Sequence, residues 1–319
     1  MTRWSKPAKI QGMELRHLRT FLIAAEMQSF TRAAEVLGVT QAAVSQHVAA
    51  LEMELSVSLF KRASRTVVPT EAGRTLYDYA RRIVDLADEA YDTITHAPNI
   101  VRGTLKIAAS TVPSEWLLPE LLVGFRRLYP HVQEFVSVSD SASAIRAVES
   151  GEAELGIVGE LPRAARLCAK AIASDELTLV VPPDHAFASA KKVTLDAFCR
   201  EPLIVRGPNS GSRRCVEQAL SRAGLSPNEL TITMEVNSNE AIRAAVERGV
   251  AIAFLSTRAV SREIQDGRLA SVEIEAVKAE RSLYLVTDPQ RMPTRVAREF
   301  FSFLDRWRHG VKTSKEIRR

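Results

Sequence analysis

The chain has 319 residues, 46% of them hydrophobic and 25% charged, and a net charge of +5. That balance describes a soluble globular protein of two or three domains with sizeable cores. No stretch is apolar and long enough to span a membrane, and three scattered cysteines without a CxxC or Cys/His cluster argue against a zinc site and fit a reduced, cytosolic compartment.

Residues 1–12 are polar, lack the apolar centre of a signal peptide and read as an unstructured lead-in. From Met13, a helical stripe of Leu15, Leu18, Phe21, Leu22 and Ala25 follows. Residues 29–55 read as two helices joined by a tight turn. Phe30, Ala33, Ala34 and Leu37 share one face of the first, Ser29 suits its N-cap, and Gly38 tolerates the left-handed conformation past its end. Thr40 suits the next N-cap. There Val44, Val48, Leu51 and Leu55 share a face, while Gln41, Ser45, Gln46 and His47 lie elsewhere. A recognition helix in a DNA major groove needs that layout, although a two-helix corner of an ordinary core shares it. Residues 1–82 carry 12 Lys/Arg against 7 Asp/Glu, a surplus equal to the whole net charge of +5. A basic segment of this kind suits phosphate contacts.

Leu59 and Phe60 anchor the next stretch. Lys61, Arg62 and Arg65 precede the β-prone Thr66-Val67-Val68, which Pro69 stops. This reads as a short hairpin carrying cations, a wing beside the helix pair. A long amphipathic helix over about 70–96 follows, with Ala72, Leu76, Tyr79, Ile83, Leu86, Ala90 and Ile94 in one stripe. Its length suits pairing with a second copy. Pro98, Asn99 and Gly103 mark a linker. Beyond it, strand and helix patterns alternate, predicting two similar α/β units with a largely parallel sheet. Strands are expected at 104–110, 134–139, 154–160, 203–207, 231–237, 250–256 and 282–287. The last helix, 294–310, puts Val296, Phe300, Phe303, Leu304 and Trp307 on one side, and a polar, frayed tail follows Gly310.

Ligands in open α/β sheets bind beyond the carboxyl ends of the strands. Three such ends are rich in small polar residues: Ser110 and Thr111; Ser139, Asp140 and Ser141; and Arg206, Asn209, Ser210 and Gly211. Backbone N–H groups at a helix start beside an arginine suit a small anion. Catalytic, P-loop and dinucleotide motifs are absent from the sequence, and the six histidines are scattered, so no cofactor and no enzymatic activity is expected. Cys199 and Cys215 offer a redox-sensing alternative.

The stretch from Leu15 to Gly73 closely resembles the DNA-binding region of LysR-type transcriptional regulators. The match runs through Phe21, Ser29-Phe30-Thr31, Ala33-Ala34, Leu37, Thr40, Gln41, Ala43-Val44-Ser45, Leu51-Glu52, Leu59-Phe60, Arg62, Arg65 and Thr70-Glu71-Ala72-Gly73. The resemblance implies an α+β multidomain fold: a winged helix-turn-helix over 13–70, a linker and dimerisation helix with hinge over 71–102, and two α/β subdomains like a periplasmic binding protein. The first subdomain is expected at 103–177 with 278–312, the second at 178–277. Expected partners are double-stranded promoter DNA, a small anionic effector, and further copies of the chain in a dimer of dimers. DNA contacts are expected from Thr31, Arg32, Thr40, Gln41, Ala42, Ser45, Gln46, His47, Lys61, Arg62 and Arg65. Effector contacts are expected from Ser110, Thr111, Ser139, Arg206, Asn209 and Ser210. Two residues depart from the family pattern: Ala42 stands where many members have proline, and Gln46 where many have arginine. Glutamine reads adenine rather than guanine, so no target sequence transfers. Met13 sits where family members commonly begin. The alternative from another class is a small-molecule-binding or enzymatic α/β protein with a helical appendage.

Overall fold

The computed structural model describes residues 13–62, 67–95 and 100–316. The expected extension over 1–12, Arg65 and part of the hinge lie outside them. The chain divides into two compact units at Asn99/Ile100.

The first unit begins with α1 (Leu15–Met27), α2 (Phe30–Leu37) and α3 (Gln41–Leu55). The Ser29 hydroxyl accepts from the Arg32 N–H, and Gly38 ends α2 at φ 66°. The Thr40 hydroxyl accepts from the Ala43 N–H at 3.2 Å, starting α3 one residue later. Three helices then close on Leu18, Phe21, Leu22, Val44, Val48 and Leu51, all buried. Strands β1 (Phe60–Arg62) and β2 (Val67–Pro69) pair antiparallel as the wing. Glu52, on the last turn of α3, accepts from the N–H groups of Leu59 (2.7 Å) and Phe60 (3.3 Å), tying the helix to the wing's base.

The long helix α4 (Glu71–Thr95) starts where the Thr70 hydroxyl accepts from the Gly73 N–H at 3.0 Å. Gly73 is needed there, because a Cβ at this position would lie 2.1 Å from the Leu59 carbonyl oxygen. Gly73→Ala must push two backbones apart. It is expected to cost on the order of 1–3 kcal/mol, read as a lower denaturant midpoint.

The single stripe expected on α4 is in fact two. Leu76, Ala80 and Val84 are buried against the first unit, whereas Tyr79, Ile83, Leu86 and Ile94 are exposed. The helix is long and its apolar positions cover more than one face, so it serves its own core and leaves a second apolar side outward. Tyr77 and Arg81 both donate to Glu26 of α1, at 2.8 and 2.7 Å. Burial first, then the Glu26 hydrogen bond, push the Tyr77 phenol up to about 12.

The second unit runs β3 (Gly103–Ser110), a π-helical turn (Pro113–Leu117), α5 (Leu118–Leu128), β4 (Val132–Ser139), α6 (Ser141–Ser150), β5 (Leu155–Val158) and β6 (Cys168–Val181). It continues through β7 (Lys192–Val193), α7 (Leu195–Cys199), β8 (Leu203–Val205), α8 (Gly211–Arg222), β9 (Ile232–Glu235), α9 (Asn239–Glu247) and β10 (Ile252–Ser256). Last come α10 (Ser261–Gln265), β11 (Ala270–Ile274), β12 (Ala279–Thr287) and α11 (Arg295–Glu316). Residues 311–316, expected in the frayed tail, continue this last helix, and the remainder of the tail lies outside the described residues.

The strands form one path, β4-β3-β5-β12-β6-β10-β8-β9, with β11 also paired to β6 and β7 paired to β11. At each end three strands are parallel, as the alternating pattern predicts. The middle is not. Strand β12 is antiparallel to β5 and β6, and β10 is antiparallel to β6. These two long strands run through both halves of the sheet. Ile172 and Leu283 lie in one core with β3, α5 and α11, while Leu177 and Ala279 lie in another with α8 and Phe198. Two lobes on one pair of continuous strands result, with a register shift between Leu283 and Tyr284. Among the described residues no helix is long and apolar enough to cross a membrane.

Candidate functional site

Two constellations carry the chemistry, one in each unit. In the first, α3 buries Val44, Val48 and Leu51 and leaves Gln41, Ala42 and Gln46 exposed, with Ser45 half-buried between them. The Gln41 amide donates to the Ser45 hydroxyl at 3.1 Å, one helical turn on. Thr31, Arg32 and Thr40 are also exposed, at the starts of α2 and α3. Lys61 is exposed on β1. Arg62 continues that strand, while Arg65 lies outside the described residues. An exposed row of amides and hydroxyls at the first turns of a helix is what base-edge reading requires.

His47 does not belong to that row. Its ring is half-buried in the seam between α1 and α3, 4.8 Å from the His17 ring, with Nδ1 2.9 Å from the Thr20 hydroxyl. Thr20 gives its only proton to the Arg16 carbonyl at 2.8 Å, so Nδ1 of His47 is the donor to it. The helical period that carries Gln46 outward carries its neighbour inward. Burial, then His17 and Arg16, hold the His47 pKa below its ordinary 6.5, with Glu14 opposing. On acidification the unfolded chain therefore takes up the proton before the folded one. This stabilising contribution is complete above about pH 6.5 and is lost as pH falls through the lowered folded value. Between about pH 8 and pH 5.5 the melting temperature is expected to fall, and to fall less in His47→Gln, whose amide still donates to Thr20. An unchanged pH slope in that variant rules His47 out as the titrating group.

In the second unit, the ends of three elements converge between the lobes. Ser110, Thr111, Asp140, Ser141, Arg206, Ser210, Gly211, Ser212 and Arg281 line a partly open cavity of about 10 Å³, at the limit for one water molecule. Ser110 accepts from the Gly159 N–H at 3.3 Å. Arg206, 6% exposed, donates to the Thr111 hydroxyl at 3.0 Å and to the Asn239 side-chain carbonyl. Its buried Nε has no partner among the described residues. Burial lowers the Arg206 pKa, Glu115 opposes this, and Arg281 adds to it. Arg281 is itself held by Asp175, whose carboxylate accepts at 3.0 and 2.9 Å and also accepts from Ser256. Ser210 caps α8 without using its side chain, and Gly211 and Ser212 at the start of that helix line the cavity with Arg206 and Arg281, an arrangement that favours an anion.

Two expected effector residues fall elsewhere. The Ser139 hydroxyl donates to the adjacent Asp140 carbonyl at 3.2 Å and is not in the wall. Asn209 is exposed, and its carbonyl accepts from Arg214 at 3.3 Å. In both cases the turn presents the neighbouring residue to the cavity instead. Sequence reasoning missed Ser212, Arg281, Asn239 and Glu115. Asn239 and Ser212 look like ordinary helix-start residues, and Arg281 lies on the last strand, with no local pattern to single it out.

The redox alternative finds little chemical support. Cys215 is buried, and burial raises its thiol pKa; burial, Glu229 and Asp196 raise that of Cys199. Raised values disfavour the thiolate that reacts with oxidants.

Residues 15–74 match the model of the bacterial regulatory helix-turn-helix protein, lysR family, and residues 99–308 match that of the LysR substrate binding domain. A probable RuBisCO transcriptional regulator from Cyanidioschyzon merolae is 34% identical over 289 residues, which cover 90% of this chain and 95% of that protein. A full-length OxyR variant from Pseudomonas aeruginosa has a similar fold, with TM-score 0.73 and 23% identity over 93% of this chain and 95% of that one. The regulatory domain of Synechocystis CcmR, solved in complex with 2-PG, superposes with TM-score 0.58 and 24% identity over 64% of this chain and 96% of that one. The chain belongs to the LysR family of DNA-binding transcriptional regulators, with a helix-turn-helix at one end and an effector-binding domain filling the rest.

Proposed function

We propose that this regulator reads promoter DNA through Thr40, Gln41, Ala42, Ser45 and Gln46, with Thr31, Arg32, Lys61, Arg62 and Arg65 on the phosphates and the wing side. The observation that carries this reading is the polar, exposed start of α3 on a helix whose opposite face is buried. A small anion held by Arg206, Thr111, Ser110 and the start of α8 sets the arrangement of the two lobes and hence the DNA-bound state. Arginine, hydroxyls and helix N–H groups all favour negative charge, and CcmR was solved with the small molecule 2-PG. The lobes correspond to residues 103–177 with 278–312 and to residues 178–277, and the linker and hinge to 71–102. The protein acts in the cytoplasm by binding, without turnover.

The test is binding of the purified full chain to its own upstream DNA and to random DNA across salt concentrations. Preference for its own DNA, with affinity falling as salt rises, supports the reading. RuBisCO promoter DNA is a useful third arm, given the name of the relatives. Equal affinity for all three sinks it.

The active form is a homo-oligomer joined through α4. The exposed Tyr79, Ile83, Leu86 and Ile94 form the contact stripe, and pairing removes them from water. Placing aspartate at both Ile83 and Leu86 buries two charges in that contact. It is expected to leave monomers in sedimentation and to weaken binding to a two-half-site promoter by at least about 100-fold. Oligomers of unchanged size would place the interface elsewhere.

A further inference from the structure

The cavity between the lobes is partly open but has room for only about one water, so an organic anion needs some contact between the lobes to give. The contact that spans them is specific. The π-helical turn Pro113–Leu117 projects from the first lobe and carries Glu115 and Trp116. Single π-turns are rare and concentrate at functional sites. The Asn239 side-chain amide donates to both carboxylate oxygens of Glu115, at 3.0 and 3.2 Å. Asn239, 6% exposed, starts α9 in the second lobe and accepts in turn from Arg206. Arg206 then reaches back to Thr111 of the first lobe. Beside this clasp, the Arg258 guanidinium stacks 4.4 Å from the Trp116 ring.

We propose that Glu115 is a built-in surrogate for the effector: its carboxylate occupies the Asn239 amide, which Arg206 holds from behind, in the ligand-free protein, and an effector carboxylate displaces it. This rests on the cavity being the effector site. The reasons are chemical. The amide of Asn239 already makes the two-oxygen contact that recognises a carboxylate, and the guanidinium behind it keeps one buried nitrogen without a partner among the described residues. Glu115 is the carboxylate on the strap that must move. It sits uneasily there, because desolvation raises its pKa against the pull of Asn239, Arg206 and Arg243. Asn239 is thereby a specificity-determining residue for a carboxylate ligand, and Glu115 a positioning residue that sets the threshold for its entry.

The test titrates the full chain with malonate and follows Trp116 emission, with Trp116→Phe identifying its share of the signal. Glu115→Ala is expected to tighten malonate binding by about tenfold or more, because the ligand no longer competes with an internal carboxylate for the Asn239 amide. Adding Asn239→Ala to that variant is expected to abolish the gain. Glu240→Gln removes a nearby exposed charge without touching Asn239 and is expected to change the affinity less than about twofold. Failure of Glu115→Ala to bind malonate more tightly than the natural chain overturns the proposal, as does an equal gain from Glu240→Gln. If Arg206→Ala binds malonate as the natural chain does, the cavity itself is not the site, and the broader reading fails with it. If Arg206→Ala loses malonate while Glu115→Ala matches the natural chain, only the surrogate role falls.

Discussion

Arg206→Ala is expected to abolish the response to small anions while leaving the protein folded. The guanidinium is a buried cation in the cavity wall, held by Thr111 and Asn239. An entering anion gains one or two hydrogen bonds from it, each worth about 1.5–3 kcal/mol when a charged group is involved, so its loss should weaken binding by on the order of 100-fold or more. Stability without ligand should change far less, because the buried arginine gives up solvation and keeps its Nε without a partner among the described residues. The measurement is a pair of thermal melts, with and without a panel of anionic metabolites. A ligand that binds only the native state raises the melting temperature of the natural chain. The variant should melt close to the unliganded chain and show no rise. A full-sized rise in the variant places the effector elsewhere.

The second large effect is expected at Gln46. An exposed glutamine near the start of a recognition helix offers one donor and one acceptor, the pair that adenine presents in the major groove. Gln46→Ala should cost about 1–3 kcal/mol on the preferred promoter and almost nothing on random DNA. Gln46→Arg should move the preference at one base pair from adenine towards guanine. Binding to a set of single-base variants of the promoter measures both. Equal weakening on every sequence makes Gln46 a backbone contact, which carries no sequence information.

These two predictions sit on unequal footing, and the difference is physical. Whatever depends on neighbours three or four residues apart is legible in the chain. Ser29, Gly38 and Thr40 cap helices in the structure as their types require, and Val44, Val48 and Leu51 are buried as their spacing requires. Gln46 inherits its exposure from the same period. The family motif from Leu15 to Gly73 is legible for the same reason, and the structure supplies causes for parts of it: Glu52 holds the base of the wing, and Gly73 lets α4 pass the Leu59 carbonyl.

Residue type and spacing along the chain thus specify the local elements, their caps, the helix-turn-helix and the alternation that makes lobes of β-strand and helix. The tertiary structure decided the rest. It turned the ring of His47 into the seam with α1, because packing against His17 and Thr20 outweighs its place beside Gln46. It divided one apparent stripe on α4 into a buried side and an exposed side. It ran β6 and β12 antiparallel through both lobes, which the parallel pattern of the shorter strands does not announce. It also brought Ser110, Arg206 and Arg281 around one cavity and joined Glu115 to Asn239, residues more than 120 positions apart. Such convergence depends on chain crossings and on which side chains fill the space between lobes. Neither leaves a periodic trace in the sequence, because each member is chosen by partners far away along the chain.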